Sequence, residues 1–154
     1  MMENTAETLE LLNDLVLINN DRIEGYTRAL KEMEKEPDGR DLEPIFLRLI
    51  DDSRRYKVQI GTEIQALGGE IETGTTVGGK IHRAWLSVKE SFNGNDRHSV
   101  LDECESFEDA IRNTYDDILN DEALPAYIID MLDEQLQEIM AAHDQIKELR
   151  DSVH

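Results

Sequence analysis

The sequence predicts an all-α protein, a bundle of four long helices, and three observations carry that prediction. Apolar residues recur in steps of three and four along four long stretches, which is the spacing of one helix face. Turn-forming clusters separate the stretches: Glu36-Pro37-Asp38-Gly39, Gly68-Gly69, Asn93-Gly94-Asn95 and the residues before Pro125. Strand-like alternation is confined to scattered short matches.

The first helix is expected from about Ala6 to Lys35, with Thr5 as N-cap and Leu12, Leu15, Asn19, Ile23, Tyr26, Leu30 and Met33 on one face. Pro37 and Gly39 break it. Asp41 is placed to cap a second helix, with Pro44 in the first turn, where a missing N–H does no harm. Its face carries Phe46, Leu49, Ser53, Tyr56, Ile60, Ile64 and Leu67, and Gly68-Gly69 ends it. Residues 70–79 read as a loop, followed by a short helix from about Lys80 to Phe92 with Ile81, Trp85, Val88 and Phe92 on one side. Trp85 is read as the anchor of that helix on the bundle, with His82 partly exposed. Asp96 caps a third long helix reaching about Asn120, with Leu101, Cys104, Glu108, Ile111, Tyr115 and Ile118 inward. Pro125 opens the last helix, whose face runs Leu132, Leu136, Ile139, His143, Ile146, Leu149. The short links make helices one and two, and three and four, antiparallel neighbours; a short helix crossing the bundle lets helices two and three run parallel.

At 154 residues the chain is one domain, 1–154, with 39% hydrophobic and 33% charged residues, enough to build a core under a polar surface. No run of about 18 apolar residues occurs, so no membrane span is expected. The first residues are acidic and amphipathic rather than basic and then apolar, so the expected address is cytoplasmic. The formal charge of −19 argues against nucleic acid and against anionic membrane surfaces, and favours solubility and attraction of cations. With Cys104 as its one cysteine, the chain forms no intrachain disulfide and no cysteine zinc site.

Polar residues in the middle of apolar faces are the feature that bears on function. Asn19, Glu108 and His143 each occupy an inward position, and a buried ionisable group must be paired, hydrogen-bonded or metal-bound. One reading is a buried polar layer of Asn19, Asp52, Arg55, Glu108 and His143, with Glu108 bonded to His143 or Arg55. The other is a metal centre with Glu108, His143 and Asp52 as ligands. Tyr26, Tyr56 and Tyr115 are read as core tyrosines with partnered hydroxyls, and Cys104 as a small core residue whose acidic neighbours discourage the thiolate.

The two halves echo each other: Asn19 precedes Tyr26 by seven residues, and Glu108 precedes Tyr115 by seven. In position, the chain resembles the ferritin-like superfamily, in which a glutamate on each of two helices and Glu-x-x-His on each of the other two grip a pair of metal ions. On that resemblance Asn19 stands at the first glutamate, Asp52 and Arg55 at the first Glu-x-x-His, Glu108 at the second glutamate, and Met140 and His143 at the second pair. Glu108 and His143 keep the ligand type and Asp52 is a shortened version, whereas asparagine, arginine and methionine are poor ligands for a hard cation. The chain is more specifically similar to an uncharacterised bacterial family of ferritin-like domains of unknown function. The matching stretches are Leu12-Asn13-Asp14-Leu15, Glu24-Gly25-Tyr26, Leu67-Gly68-Gly69, His82-Arg83-Ala84-Trp85, Glu103-Cys104-Glu105 with Glu108-Asp109, Leu124-Pro125, and His143 to Lys147 with Leu149-Arg150-Asp151. Phe107 departs from it, where a small residue is expected.

That resemblance implies a ferritin-like four-helix bundle with a long crossover, containing a short extra helix, between helices two and three. The leading functional expectation is a non-catalytic bundle, its di-metal site replaced by the polar layer, acting through contacts with an unidentified protein partner in a stress or regulatory role, with no cofactor. The alternative is a di-iron or di-manganese oxidoreductase, a ferroxidase or peroxide scavenger, using Glu108, His143 and Asp52 with Glu105 or Glu24 added. A third reading, a small-molecule binder, requires a cavity lined by Asn19, Glu108 and His143. A homodimer is expected, with Leu9, Val16, Leu17 and Ile129 as the apolar positions left for pairing.

Overall fold

Four α-helices carry most of the described backbone in the computed structural model, which describes residues 2–34, 39–76, 82, 83, 86 and 96–152. They are α1 (Met2–Met33), α2 (Leu42–Ala66), α3 (Arg97–Leu119) and α4 (Ala126–Asp151), and no strand occurs among the described residues. The short helix expected from Lys80 to Phe92 lies outside the described residues apart from His82, Arg83 and Leu86.

The helix ends follow local chemistry, with two corrections. α1 starts at Met2, so Thr5 lies inside the helix and is not its cap. Asp41 makes no side-chain cap, because its carboxylate is held by the two guanidinium nitrogens of Arg97 across the bundle end, at 2.5 and 2.9 Å. Asp96 does cap α3, accepting the Ser99 amide at 2.9 Å. α2 ends in a Schellman turn: Gly68 takes φ +85°, its N–H reaches the Gln65 carbonyl, and the Gly69 N–H reaches that of Ile64.

Cross-helix hydrogen bonds give the directions of packing. Along α1 and α3, Thr8, Asn19 and Arg22 meet Ala123, Tyr115 and Glu108, so the two run antiparallel. Along α2 and α4, Arg48, Arg55 and Gln59 meet Gln145, Glu138 and Gln135, again antiparallel. α1 packs most extensively on α2 and α3 on α4. After α2 the chain turns back along α1. Asn13 holds Glu70 and Glu72, Asn20 holds the Gly74 carbonyl, and Asp21 accepts from the amide and hydroxyl of Thr76.

The core fills the space between the four helices with Leu12, Leu15, Phe46, Leu49, Ile60, Leu101, Phe107, Ile111, Leu132, Ile139 and their neighbours. Phe107 is buried there, its ring edge-on to Tyr26 with centroids 6.5 Å apart. Cys104 is likewise fully buried. No helix among the described residues is long and apolar enough to cross a membrane.

Candidate functional site

Halfway along the bundle the apolar packing is interrupted by a connected polar layer drawn from all four helices. Spacings of three and four place Asn19, Arg22 and Tyr26 on the inward face of α1. α2 contributes Ser53, α3 contributes Glu108 and Tyr115, and α4 contributes Gln135. Arg22 and Glu108 are both fully buried and form a two-pronged pair: Nε donates to Oε2 at 2.9 Å and Nη2 to Oε1 at 2.7 Å. The Tyr26 hydroxyl donates to the same Oε2 at 2.9 Å. From Arg22 the network continues through Nη1 to Ser53 Oγ, from Ser53 to Asn19 Oδ1, and from Asn19 Nδ2 to the Tyr115 hydroxyl. Tyr115 then donates to Gln135 Oε1 at 2.8 Å, and Gln135 Nε2 to Gln59 Oε1 at 2.9 Å.

The electrostatics of the layer are those of a closed ion pair. Burial opposes the charge on Arg22, but Glu108 more than compensates, so the guanidinium is held protonated more firmly than in water. The rings of Tyr26 and Tyr56 lie 5.9 and 6.0 Å from its central carbon, adding cation–π attraction. Burial drives the hydroxyls of Tyr26 and Tyr115 above their ordinary pKa, Glu108 adding to this in both, so both stay neutral donors. Both Glu108 oxygens accept hydrogen bonds, and each group of the layer is engaged by its neighbours. Glu108 is thus tied to Arg22 and Tyr26 through both oxygens, and Asn19, Arg22, Ser53 and Glu108 are all fully buried.

A second polar cluster lies at the α3–α4 seam, on the outer side of the layer. His143 Nε2 is 3.1 Å from Asp109 Oδ1 and 3.7 Å from Glu105 Oε1, and Nδ1 is 3.1 Å from Asp144 Oδ1. Among the described residues, Glu105, Asp109 and His143 are a group whose donor atoms, all within 4.8 Å of one another, suit one metal ion.

The profile of the family described as Domain of unknown function (DUF2383) matches residues 7–121. The chain belongs to this family. The matched span includes α1 from Glu7, all of α2 and all of α3, so the DUF2383 region supplies Asn19, Arg22, Tyr26, Ser53, Glu108 and Tyr115, while Gln135 and His143 lie beyond it. No curated protein and no solved structure matches the chain closely enough to count.

Within this DUF2383 protein the structure separates the residues singled out from sequence. Asn19 and Glu108 meet in the central layer, bridged by Arg22 and Ser53. His143 is 8% exposed but points to Glu105 and Asp109, away from the layer, because its place on α4 faces the outer edge of α3. Asp52 and Arg55 are not in the layer: their side chains are 21% and 47% exposed, and Arg55 binds Asp52 and Glu138 at the surface. Ser53 takes the inward position between them, and the cation facing Glu108 comes from α1 instead. Glu108, His143 and Asp52 therefore do not converge on one ligand site. Met140 is exposed, and Val16 is fully buried in the core rather than free for pairing. Sequence reasoning missed Arg22, Gln135 and Asp21. Arg22 stands three residues after Asn19 and four before Tyr26, and Gln135 three after Leu132 and four before Ile139, so the periodicity pointed inward in both cases.

Proposed function

We propose that this chain is a ferritin-like bundle in which a built-in cation, Arg22, stands where relatives of that superfamily hold metal ions, and that it acts through protein contacts rather than by central redox chemistry. The observation that carries the proposal is the fork of Arg22 on Glu108: an internal guanidinium occupies the carboxylate that a di-metal centre would need. The ferritin-like assignment draws support from the antiparallel pairings α1–α2, α1–α3 and α2–α4, and from residues 70–76 running back along α1. These fit a long crossover, with its short helix, between α2 and α3. The filled layer disfavours the small-molecule reading. For protein contacts the supporting features are the exposed apolar side chains Leu47, Val58, Ile71 and Tyr127. The stress or regulatory setting rests on the superfamily resemblance. A homodimer in the cytoplasm completes the reading, with Leu9, Leu17 and Ile129, all partly exposed, available for pairing.

Metal analysis tests the central claim. The protein is loaded with iron or manganese, desalted and compared with the double variant R22M/E108M, which removes both charges together and so keeps the core neutral. The expected result is equal metal content in both. About two ions per chain in the wild type, lost in the double variant, would restore the di-metal oxidoreductase and overturn the proposal. Light scattering at micromolar concentration should give a dimer; a monomer refutes the pairing.

A further inference from the structure

The cluster at the α3–α4 seam has an electrostatic problem that the central layer does not. The His143 side chain is nine-tenths buried and its Nδ1 faces the Asp144 carboxylate at 3.1 Å. In the tautomer that donates Nδ1–H to that carboxylate, the Nε2 lone pair lies on the other side of the ring. That nitrogen is buried and has no hydrogen-bond partner. It nevertheless lies 3.1 Å from Asp109 Oδ1 and 3.7 Å from Glu105 Oε1, both electron-rich oxygens. In that tautomer three lone-pair donors share one small volume; Arg112, 3.4 Å from the same Asp109 oxygen, and Arg150 on Glu105 neutralise part of the charge, and a cation between the three donors relieves the rest.

We propose that Glu105, Asp109 and His143 form a mononuclear site for a first-row divalent cation, Zn2+ being the best fit, with Asp144 as the carboxylate behind the imidazole. The donor set, one imidazole nitrogen and two carboxylate oxygens, is of the borderline-hard kind that such ions take. Ligands at about 2.0–2.1 Å from a tetrahedral ion stand about 3.3–3.4 Å apart; the two imidazole–carboxylate separations, 3.1 and 3.7 Å, bracket that edge, and all three donor atoms lie within 4.8 Å of one another. The missing hydrogen bond fits as well. Asp109 Oδ1 is close to Nε2 yet fails the alignment that an N–H donor needs, whereas two ligands of one ion lie off each other's axes.

The supporting groups are in place. Spacing of four on α3 stacks Glu105 and Asp109 on one side of that helix, and the antiparallel α4 brings His143 against both. Arg150 from the last turns of α4 engages the other oxygen of Glu105 and also Asp102, which orients Glu105 while leaving Oε1 facing the histidine. Asp109 is 42% exposed, so water completes the coordination and the ion enters from solvent. The site is separate from the central layer: Glu108 is the next residue round the helix from Asp109 and points inward to Arg22.

Calorimetric titration of the chelator-washed full chain with Zn2+ near neutral pH tests the proposal. One ion per chain is expected above the weak background of an acidic surface. D109N and H143Q should each weaken it by at least about 10-fold, D144N by about 10–100-fold, and D117N, an exposed acid elsewhere on α3, should leave it unchanged. Binding of Co2+ should give a tetrahedral visible spectrum that D109N abolishes. D109N changes a half-exposed side chain, so it keeps the test meaningful if H143Q fails to fold. Absence of stoichiometric binding, or binding that survives both ligand variants, overturns the site. Nitrogen NMR that shows His143 protonated on both nitrogens in excess Zn2+ assigns the cluster to an imidazolium ion pair and also overturns it. Neither outcome touches the Arg22–Glu108 proposal, whose test depends on Glu108.

Discussion

Replacing Arg22 by methionine should be among the most damaging single changes in this protein, and replacing Glu108 at the same time should restore most of the loss. R22M removes two charge-assisted bonds to Glu108, at 2.9 and 2.7 Å, and the donor to Ser53. It leaves a fully buried carboxylate with the Tyr26 hydroxyl as its remaining partner. Breaking a buried pair from one side costs about 3–5 kcal/mol, a large share of the roughly 5–15 kcal/mol that holds a domain together. E108M strands the guanidinium in the same way and should cost a similar amount. In R22M/E108M no buried charge remains in the layer. Methionine is flexible enough to fill both places, and what is left is a Tyr26 hydroxyl without an acceptor, at about 1–3 kcal/mol. Adding Y26F should remove that too. The measurement is urea unfolding followed by circular dichroism, reading the midpoint at constant slope. The cycle should return a coupling of about 3 kcal/mol or more. A double variant whose cost equals the sum of the two singles would refute the reasoning, since the two charges would then not be each other's partners. Arg55→Ala is the control: its guanidinium is 47% exposed, and its ion pair with Glu138 should contribute at most about 1 kcal/mol.

Other perturbations address separate parts of the molecule. Burial, with Glu108 and Glu103 adding to it, pushes the Cys104 thiol well above its usual pKa, so it should resist thiol reagents in the native state at mildly alkaline pH and react fully in urea; fast native reaction refutes its burial. Burial raises the Asp21 carboxyl to about 6, the Thr76 hydrogen bonds opposing and Glu24 adding. A folded pKa above the unfolded one carries no penalty below about pH 4 and a growing one up to about pH 6. The wild type should therefore lose stability between those pH values relative to Asp21→Asn, and parallel pH profiles would contradict the shift. Gly68 holds φ +85°, so Gly68→Ala should cost about 1 kcal/mol and lower the thermal midpoint by about 2–4 °C; an unchanged midpoint denies the strain.

The helices were legible because their signals are local. Period, the Asp96 cap, the proline at the start of α4 and the glycine pair after α2 each act within a turn or two of chain. The partners inside the bundle were not legible in the same way. Asn19 and Glu108 announce themselves as polar residues on apolar faces, but what each one meets depends on which helices are neighbours and on their register. Arg22 satisfies the inward period as well as Ile23 does, and hydropathy alone favours Ile23; the structure leaves Ile23 partly exposed and buries Arg22, because Glu108 stands opposite and a paired charge can go where a lone one cannot. Arg55 shows the converse: a cation near the inward face of α2 that finds Asp52 and Glu138 within reach of solvent and stays there. Asp21 belonged to no visible pattern, since its partner Thr76 lies in irregular chain that turns back along α1.

A buried ion pair is weak evidence for stability, so the layer needs another physical reason, and register is the one its connectivity supports. Arg22–Glu108 ties α1 to α3, Ser53–Asn19 ties α2 to α1, Tyr115–Gln135 ties α3 to α4, and Gln135–Gln59 ties α4 to α2. The contacts close a ring around the bundle, one for each adjacent pair of helices. Sliding α1 by a single turn moves Arg22 about 5.4 Å along the axis, which strands a guanidinium and a carboxylate in the core at once. A purely apolar layer imposes no such penalty, because leucine packs on leucine in either register. R22M/E108M should therefore keep most of its unfolding free energy yet lose uniqueness: native-state hydrogen exchange of mid-helix amides in α1 and α3 should quicken more than global stability explains, and their NMR signals should broaden. Exchange that tracks the global free energy alone, with sharp signals, would show that apolar packing already fixes the register and that the polar ring does not.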